Sequence, residues 1–121
     1  MTDKRLWYLG TPYTNYEHGL EAAFVGASKI AAALIRQGVN VYCPIVHSHP
    51  IAAHGEMDAV DHDMWLGIDL AFMLRSDGMI VGMMPGWRTS KGVNIEIDWF
   101  KKAGKPVRYY DPEFDLLADE M

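Results

Sequence analysis

Short apolar runs alternate with longer stretches of helical periodicity, and this alternation narrows the possible architectures more than any other feature of the chain. Leu6-Trp7-Tyr8-Leu9 is a continuous apolar run closed by Gly10, as expected of a strand buried on both faces. Thr11 to His18 is polar, holds Pro12 and Asn15, and predicts a loop. From Gly19 to Gln37, apolar residues fall at Leu20, Phe24, Ala27, Ala31 and Leu34, with Ala23, Ile30 and Ile35 beside them. That is helical spacing, and Gly38 is a suitable stop. Val39 to Cys43 predicts a second strand ended by Pro44. Pro44 to Gly55 predicts a long loop containing His47, His49 and His54. Asp58 to Arg75 predicts a helix with a break near Gly67, and Gly78 to Val81 a third strand. Gly82 to Thr89 predicts a loop, Ser90 to Ala103 a helix stopped by Gly104, and Pro106 to Tyr109 a fourth strand. The acidic tail from Asp111 predicts one more helical turn. The order β-α-β-α-β-α-β implies a small parallel sheet with right-handed crossovers and helices on both faces. This is a three-layer α/β sandwich of the flavodoxin-like or Rossmann-like kind. With no linker, repeat or low-complexity stretch, residues 1–121 are expected to form one domain.

Composition removes several function classes. Half of the 121 residues are hydrophobic, 22% are charged and the net charge is −5, as in a globular protein. A negative surface opposes binding of a nucleic acid polymer, which needs cations to displace counterions. It leaves room for a small anionic ligand held by local cations and helix N-termini. A single cysteine, Cys43, excludes a disulfide framework within the chain and fits a cytoplasmic home. The apolar run ending at Gly10 is too short for a signal segment or a membrane span, so no membrane association is expected.

In parallel sheets ligands sit outside the carboxyl ends of the strands. The loops leaving those ends are Thr11–His18, Pro44–Gly55 and Gly82–Thr89. Ser90-Lys91-Gly92-Val93-Asn94-Ile95-Glu96 lies where the last of these enters a helix. Ser90 is a natural N-cap, the first-turn N–H groups offer an anion site, and Gly92 lets a ligand approach the backbone. Glu96, about one and a half turns on, can project toward the same crevice; an ordinary capped helix with an exposed Glu has the same spacing. Gly10-Thr11-Pro12-Tyr13 can form a cradle over a sugar or phosphate, or a plain turn. It is not the Gly-x-Gly-x-x-Gly pattern, so NAD is not expected.

Asp69 sits among apolar residues, where a semi-buried carboxylate needs a partner; it can also be a helix-N-terminal Asp after a break at Gly67. Asp63 and Asp77 are candidates of the same type. His47, His49, His54 and His62, with Asp58, Asp61 or Asp63, could hold a metal, but no His-x-x-x-His pattern follows. Such histidines equally contact a ligand or face solvent. Arg88 can pair with a phosphate while Trp87 stacks on a base, or stay at the surface. Cys43 has no visible partner for nucleophilic catalysis.

These residues resemble the nucleoside 2-deoxyribosyltransferase-like superfamily, which includes the deoxynucleoside 5'-monophosphate N-hydrolases. Within it they resemble most closely a family of unknown function, DUF1937. The resemblance runs from Tyr8 to about Tyr109. Its anchors are Tyr8-Leu9-Gly10-Thr11-Pro12-Tyr13, Ile68-Asp69-Leu70-Ala71, Ser76-Asp77-Gly78-Met79-Ile80-Val81, Ser90-x-Gly92-x-x-x-Glu96 and Gly104-Lys105-Pro106-Val107. It implies that Glu96 is the carboxylate attacking the anomeric carbon of a deoxyribose and that Asp69 assists, by positioning the sugar or protonating the base. It further implies that Ser90 and Gly92 hold the 5' end and that Tyr13 closes over the sugar. The first loop, Thr11-Pro12-Tyr13-Thr14-Asn15-Tyr16, departs from the Gly-rich, basic loop of the hydrolases. The segments with His47 and His49 and with Pro85-Gly86-Trp87-Arg88 are particular to this branch.

The expectation is an N-glycosidase or transferase acting on a small nucleoside or nucleotide, without a metal or organic cofactor, and assembled as a homo-oligomer. Glu96 and Asp69 would be catalytic. Gly10, Thr11, Tyr13, His47, His49, Trp87, Arg88, Ser90 and Gly92 would contact the substrate. A non-catalytic nucleotide-binding module and a metal-dependent hydrolase built on the histidine segment are the competing expectations.

Overall fold

The structure is a computed structural model that describes residues 3–119. Met1, Thr2, Glu120 and Met121, the ends of the expected domain, lie outside the described residues. The five-residue run at Leu6–Gly10 is strand β1, followed by helix α1 (Leu20–Arg36) and strand β2 (Asn40–Tyr42). Helices α2 (Pro44–Gly55) and α3 (His62–Arg75) lead to β3 (Gly78–Gly82). A single 3-10 turn, Trp87–Thr89, precedes α4 (Lys91–Lys102), β4 (Val107–Asp111) and β5 (Leu116–Ala118).

The strands form one sheet in the order β2-β1-β3-β4-β5. The first four are parallel, and β5 runs antiparallel to β4. Because side chains alternate across a strand, β1 and β3 feed two separate cores. Trp7, Leu9 and Ile80 pack with Ala23, Ala27, Ile30 and Leu34 of α1 and Ile45 of α2. Tyr8, Met79 and Val81 pack on the other face with Met73 of α3 and Val93 and Phe100 of α4. The expected three-layer α/β sandwich is therefore present. Strand order reverses between β1 and β3, where an open α/β sheet leaves a crevice at its carboxyl edge.

Three segments differ from the sequence-based expectation. Pro44–Gly55 is a helix and not a loop. Pro44 occupies its first turn, where a proline's missing N–H and fixed φ cost nothing. Pro44, Ile45, Ser48 and Ala52 give it one buried face, packed along α1. Tertiary packing thus overrides the helix-breaking Pro50 in its middle. Glu56 ends it in the left-handed region, φ 56°, with Met57 N–H bonded to the Ala52 carbonyl. The next helix starts at His62 rather than Asp58, because the Asp61 side chain accepts from Met64 N–H and sets its N-terminus. It runs through Gly67 without a break, which places Asp69 in mid-helix and not at a helix start. Among its described residues the tail forms a tight turn at 112–115 and a strand rather than a turn of helix. Asp115, with φ 48°, turns the chain back so that Leu116–Ala118 pairs with Tyr109–Asp111.

Candidate functional site: a buried carboxylate at the sheet reversal

β1 ends at Gly10, where any side chain would have to displace its neighbours. A Cβ there would stand 2.5 Å from Met79 Cε and 2.9 Å from Glu96 Oε1. The glycine therefore opens the space into which α4 projects Glu96. The second oxygen, Oε2, accepts a 2.5 Å hydrogen bond from the hydroxyl of Tyr8, itself fully buried in β1. Ser90 caps α4, its Oγ accepting from Val93 N–H at 3.3 Å. Asn94 ties the same turn to the preceding loop by donating to the Arg88 and Ser90 carbonyls, both at 2.9 Å. Together these bonds fix the rotation of α4 that turns Glu96 inward.

Burial pushes the Glu96 carboxyl up to about 8; the Tyr8 hydrogen bond pulls against this and the charge of Asp69 adds to it. Asp69, half-buried on α3, is pushed up to about 6 by burial, and no hydrogen bond reaches its carboxylate among the described residues. Burial, with the charges of Glu96 and Asp69, raises the Tyr8 phenol far above its ordinary range. Tyr8 therefore acts as a donor and not as a base. At neutral pH one carboxyl of the pair is mostly protonated and the other mostly ionised. Pairs whose environments separate them in this way serve acid–base and nucleophilic chemistry.

Aromatic rings line the Asp69 side. Tyr42 of β2 stacks face to face on Phe72 of α3, with centroids 3.8 Å apart and planes 4° apart. His47 leans on both rings and places Nδ1 3.2 Å from the Tyr42 hydroxyl. Burial raises the Tyr42 phenol and the charge of Asp69 adds to it, which links this stack to the carboxylate pair. Tyr8 and Tyr42 also touch, at 6.1 Å between rings.

The other candidates fall at the same edge with different surroundings. The segment Met83–Thr89 lines a concavity of about 490 Å³ at the exit of β3. In it the Arg88 guanidinium lies 4.6 Å over the Trp87 ring, and Trp87 packs on Tyr109. A second concavity, about 460 Å³, lies between α1 and the Tyr110–Asp115 turn. Neither is lined by Glu96 or Asp69; the carboxylate pair is set apart by its burial and not by a hollow. Gly92 has open space where a Cβ would stand. Among the described residues the buried Thr11 hydroxyl has no hydrogen-bond partner; it lies beside Cys43. Burial pushes the Cys43 thiol up to about 12, which leaves it unreactive.

Tyr13 and His49 are joined to each other, 2.7 Å between Oη and Nδ1. Asp77 accepts from Leu6 N–H at 2.8 Å and so ties the start of β1 to the end of α3; Asp63 lies exposed in the first turn of α3. Among the described residues no three His, Cys, Asp or Glu side chains converge as a metal ligand set, and no helix is long and apolar enough to cross a membrane.

Sequence reasoning passed over Tyr8, Tyr42, Phe72 and Glu21 as site residues. Tyr8 carried a legible signal, since a buried tyrosine needs a partner for its hydroxyl. Tyr42 and Phe72 lie on segments read only as strand and helix. No curated protein matches the chain. A family model, "Domain of unknown function (DUF1937)", matches residues 5–112, a span that holds every residue of the carboxylate crevice, and the chain belongs to that family.

Proposed function

We propose that the crevice cleaves the N-glycosidic bond of a deoxynucleoside or its 5'-monophosphate, in keeping with the resemblance to the nucleoside 2-deoxyribosyltransferase-like superfamily. The observation that carries this reading is the buried Glu96 carboxyl, held by Tyr8 and electrostatically coupled to Asp69 at the sheet reversal. Glycosidic cleavage passes through a sugar cation that a carboxylate traps or stabilises, while a second acidic group protonates the leaving group. Ionised Glu96 attacks the anomeric carbon, the C–N bond breaks, and the base leaves with the electron pair and the Asp69 proton. Water then attacks the anomeric carbon, returns a proton to Asp69 and frees Glu96; a second base in place of water gives transfer. The Tyr42–Phe72 stack and Trp87 offer apolar surface to the base. Arg88 and the first turn of α4 offer positive charge to a phosphate.

The order of the two ionisations favours a variant in which the roles are exchanged, with Asp69 the anion and Glu96 the acid. Both arrangements carry one proton between the two groups, so both give a bell-shaped rate profile with limbs at about 6 and about 8. Only the site of a trapped sugar adduct separates them.

The outward face of α3 supports assembly as a homo-oligomer. Leu66, Leu70 and Leu74 follow one another at helical spacing and are all exposed. Asp63 and Arg75 at its two ends would pair across an antiparallel twofold contact. A reducing compartment, the cytoplasm, fits the free buried Cys43.

The test is a chromatographic screen of deoxynucleosides and their 5'-monophosphates for free base, with and without chelator. Free base that persists in chelator and vanishes in Glu96→Gln is the expected outcome. Ligand-induced thermal stabilisation without product would replace the enzyme by a nucleotide-binding module. Activity abolished by chelator and restored by a divalent cation would replace it by the metal-dependent reading.

A further inference from the structure

On the α1 side of the sheet, side chains from three segments form a continuous hydrogen-bonded line. The Tyr13 hydroxyl, in the loop leaving β1, lies 2.7 Å from Nδ1 of His49 on α2. Nε2 of the same ring lies 2.8 Å from Oε2 of Glu21 in the first turn of α1. Phe24 of α1 stacks on the imidazole at 4.6 Å and 21°, and Tyr13 meets it edge-on at 88°. The ring is thus held by one face, one edge and both nitrogens. Its side chain is 13% exposed, whereas that of Glu21 is 76% exposed.

For a neutral ring, these contacts set where the protons sit. An ionised carboxylate only accepts, so Nε2 carries hydrogen. A neutral imidazole protonated at Nε2 has a lone pair at Nδ1, and the Tyr13 hydroxyl donates to it. Burial and the Glu21 charge raise the Tyr13 phenol, which keeps that proton in place at neutral pH. With its only hydrogen directed at His49, the phenol oxygen has nothing but acceptor capacity left. Tyr13 lies three residues beyond Gly10, within roughly 10 Å along the chain of the opening that holds Glu96.

We propose that Glu21 and His49 are positioning residues that fix the hydrogen-bond polarity of Tyr13, so that its oxygen accepts from a sugar hydroxyl of the ligand. The proposal rests on the reading of the crevice as a nucleotide site. A deoxynucleoside 5'-monophosphate has one free sugar hydroxyl, at the 3' carbon, and that is the group Tyr13 selects. A polar group in an enclosed site discriminates strongly against an analogue that leaves it unpaired.

Two measurements on the full chain separate the parts. Long-range proton–nitrogen NMR reads the imidazole tautomer without any ligand. His49 is expected to carry hydrogen at Nε2 in the wild type and in Glu21→Gln, whose amide oxygen still accepts, and to lose that preference in Glu21→Ala. Hydrogen at Nδ1 in the wild type overturns the proposal. Calorimetry then compares deoxyadenosine 5'-monophosphate with its 2',3'-dideoxy analogue. The wild type and Glu21→Gln are expected to prefer the hydroxyl-bearing nucleotide about tenfold, or ~1.4 kcal/mol. Tyr13→Phe and His49→Phe, which keeps a ring against Phe24, are expected to bring the ratio near one. If the three side chains merely tied the loop to its helices, these variants would weaken both nucleotides equally, and that result sinks the proposal. If neither nucleotide binds while the Nε2 tautomer is seen, the nucleotide reading of the crevice fails and takes the ligand assignment with it.

Discussion

The two faces of the sheet are built to different rules. On one, α1 buries Ala23, Ala27, Ile30, Ala31 and Leu34 in an aliphatic seam against Trp7, Leu9 and Ile80 of the strands. On the other, α3 buries only Trp65 and Met73, and the space beneath it holds a tyrosine hydroxyl, a glutamate and an aspartate whose charged forms burial disfavours. The first face is built chiefly of aliphatic packing, with no buried carboxylate in its core. The second accepts a cost in stability so that two carboxyls titrate far from their ordinary range.

That contrast is broken or sharpened first by truncating each face. Glu96→Gln is expected to lower turnover at least 10³-fold, roughly 4 kcal/mol of transition-state stabilisation, while leaving the protein folded. Leu34→Ala removes a fully buried side chain and is expected to cost about 2–5 kcal/mol of stability, with the pH optimum unmoved. Denaturant melts and rate profiles of both variants measure this. A Leu34→Ala protein with a displaced pH optimum would show that the faces are not independent.

Gly10→Ala tests the seam between them. The new methyl would meet Met79 Cε and Glu96 Oε1 well inside contact distance, so Glu96 must shift. Small displacements of a reacting group cost orders of magnitude; a 10–100-fold fall in turnover, about 1.4–2.7 kcal/mol, is expected with a smaller loss of stability. An active Gly10→Ala would mean that Oε1 does not work from that opening.

The fold was more legible than the site, and for a physical reason. β1, α1, β3 and α4 are set by local pattern: apolar runs closed by glycine, helical spacing, and the Ser90 cap. Helix α2 was not legible, because Pro50 and three histidines argue against it locally and only packing along α1 decides it. Strand β5 was not, because a three-residue strand has too little pattern to show. Glu96 and Asp69 stood out by residue type and spacing, but their pairing depends on Tyr8 and on Gly10, residues that read as strand interior. Glu21 was hidden in an ordinary helix start; its role exists only once α2 brings His49 to it.

The same electrostatics predict how stability depends on pH. The folded chain keeps the Glu96 proton up to about 8, whereas the unfolded chain releases it in the ordinary carboxylate range. The folded state therefore binds more protons between these values, and stability falls as pH rises through the window. Asp69 acts in the same direction up to about 6 and is common to both proteins compared. Glu96→Gln cannot ionise, so it is expected to match the wild type near pH 5 and exceed it at pH 8. The gain is on the order of 2–4 kcal/mol, or a melting temperature about 5 °C or more higher. A difference independent of pH would mean that the Glu96 carboxyl is hydrated.

The smallest effect concerns the outer surface of the second face. Gly67 lies in mid-helix on α3, exposed, with nothing within 4 Å of where a Cβ would stand. In an isolated chain Gly67→Ala is expected to add up to about 1 kcal/mol of stability, because alanine loses less backbone freedom on entering a helix. Gly67 is beside Leu66 and Leu70 on the exposed apolar side of the helix, where a second copy would approach most closely. If two copies pack there, the added methyl separates them, and the helix gain is offset by weaker association. Melting at two protein concentrations, with sedimentation of the same samples, distinguishes the outcomes. A concentration-independent gain leaves α3 as a solvent-facing helix, and the apolar surface then belongs to some contact other than a copy of this chain. A loss that grows on dilution makes the sparsely packed face of the sheet also the face through which the protein assembles, with Asp69 on the inner side of the helix that both copies share.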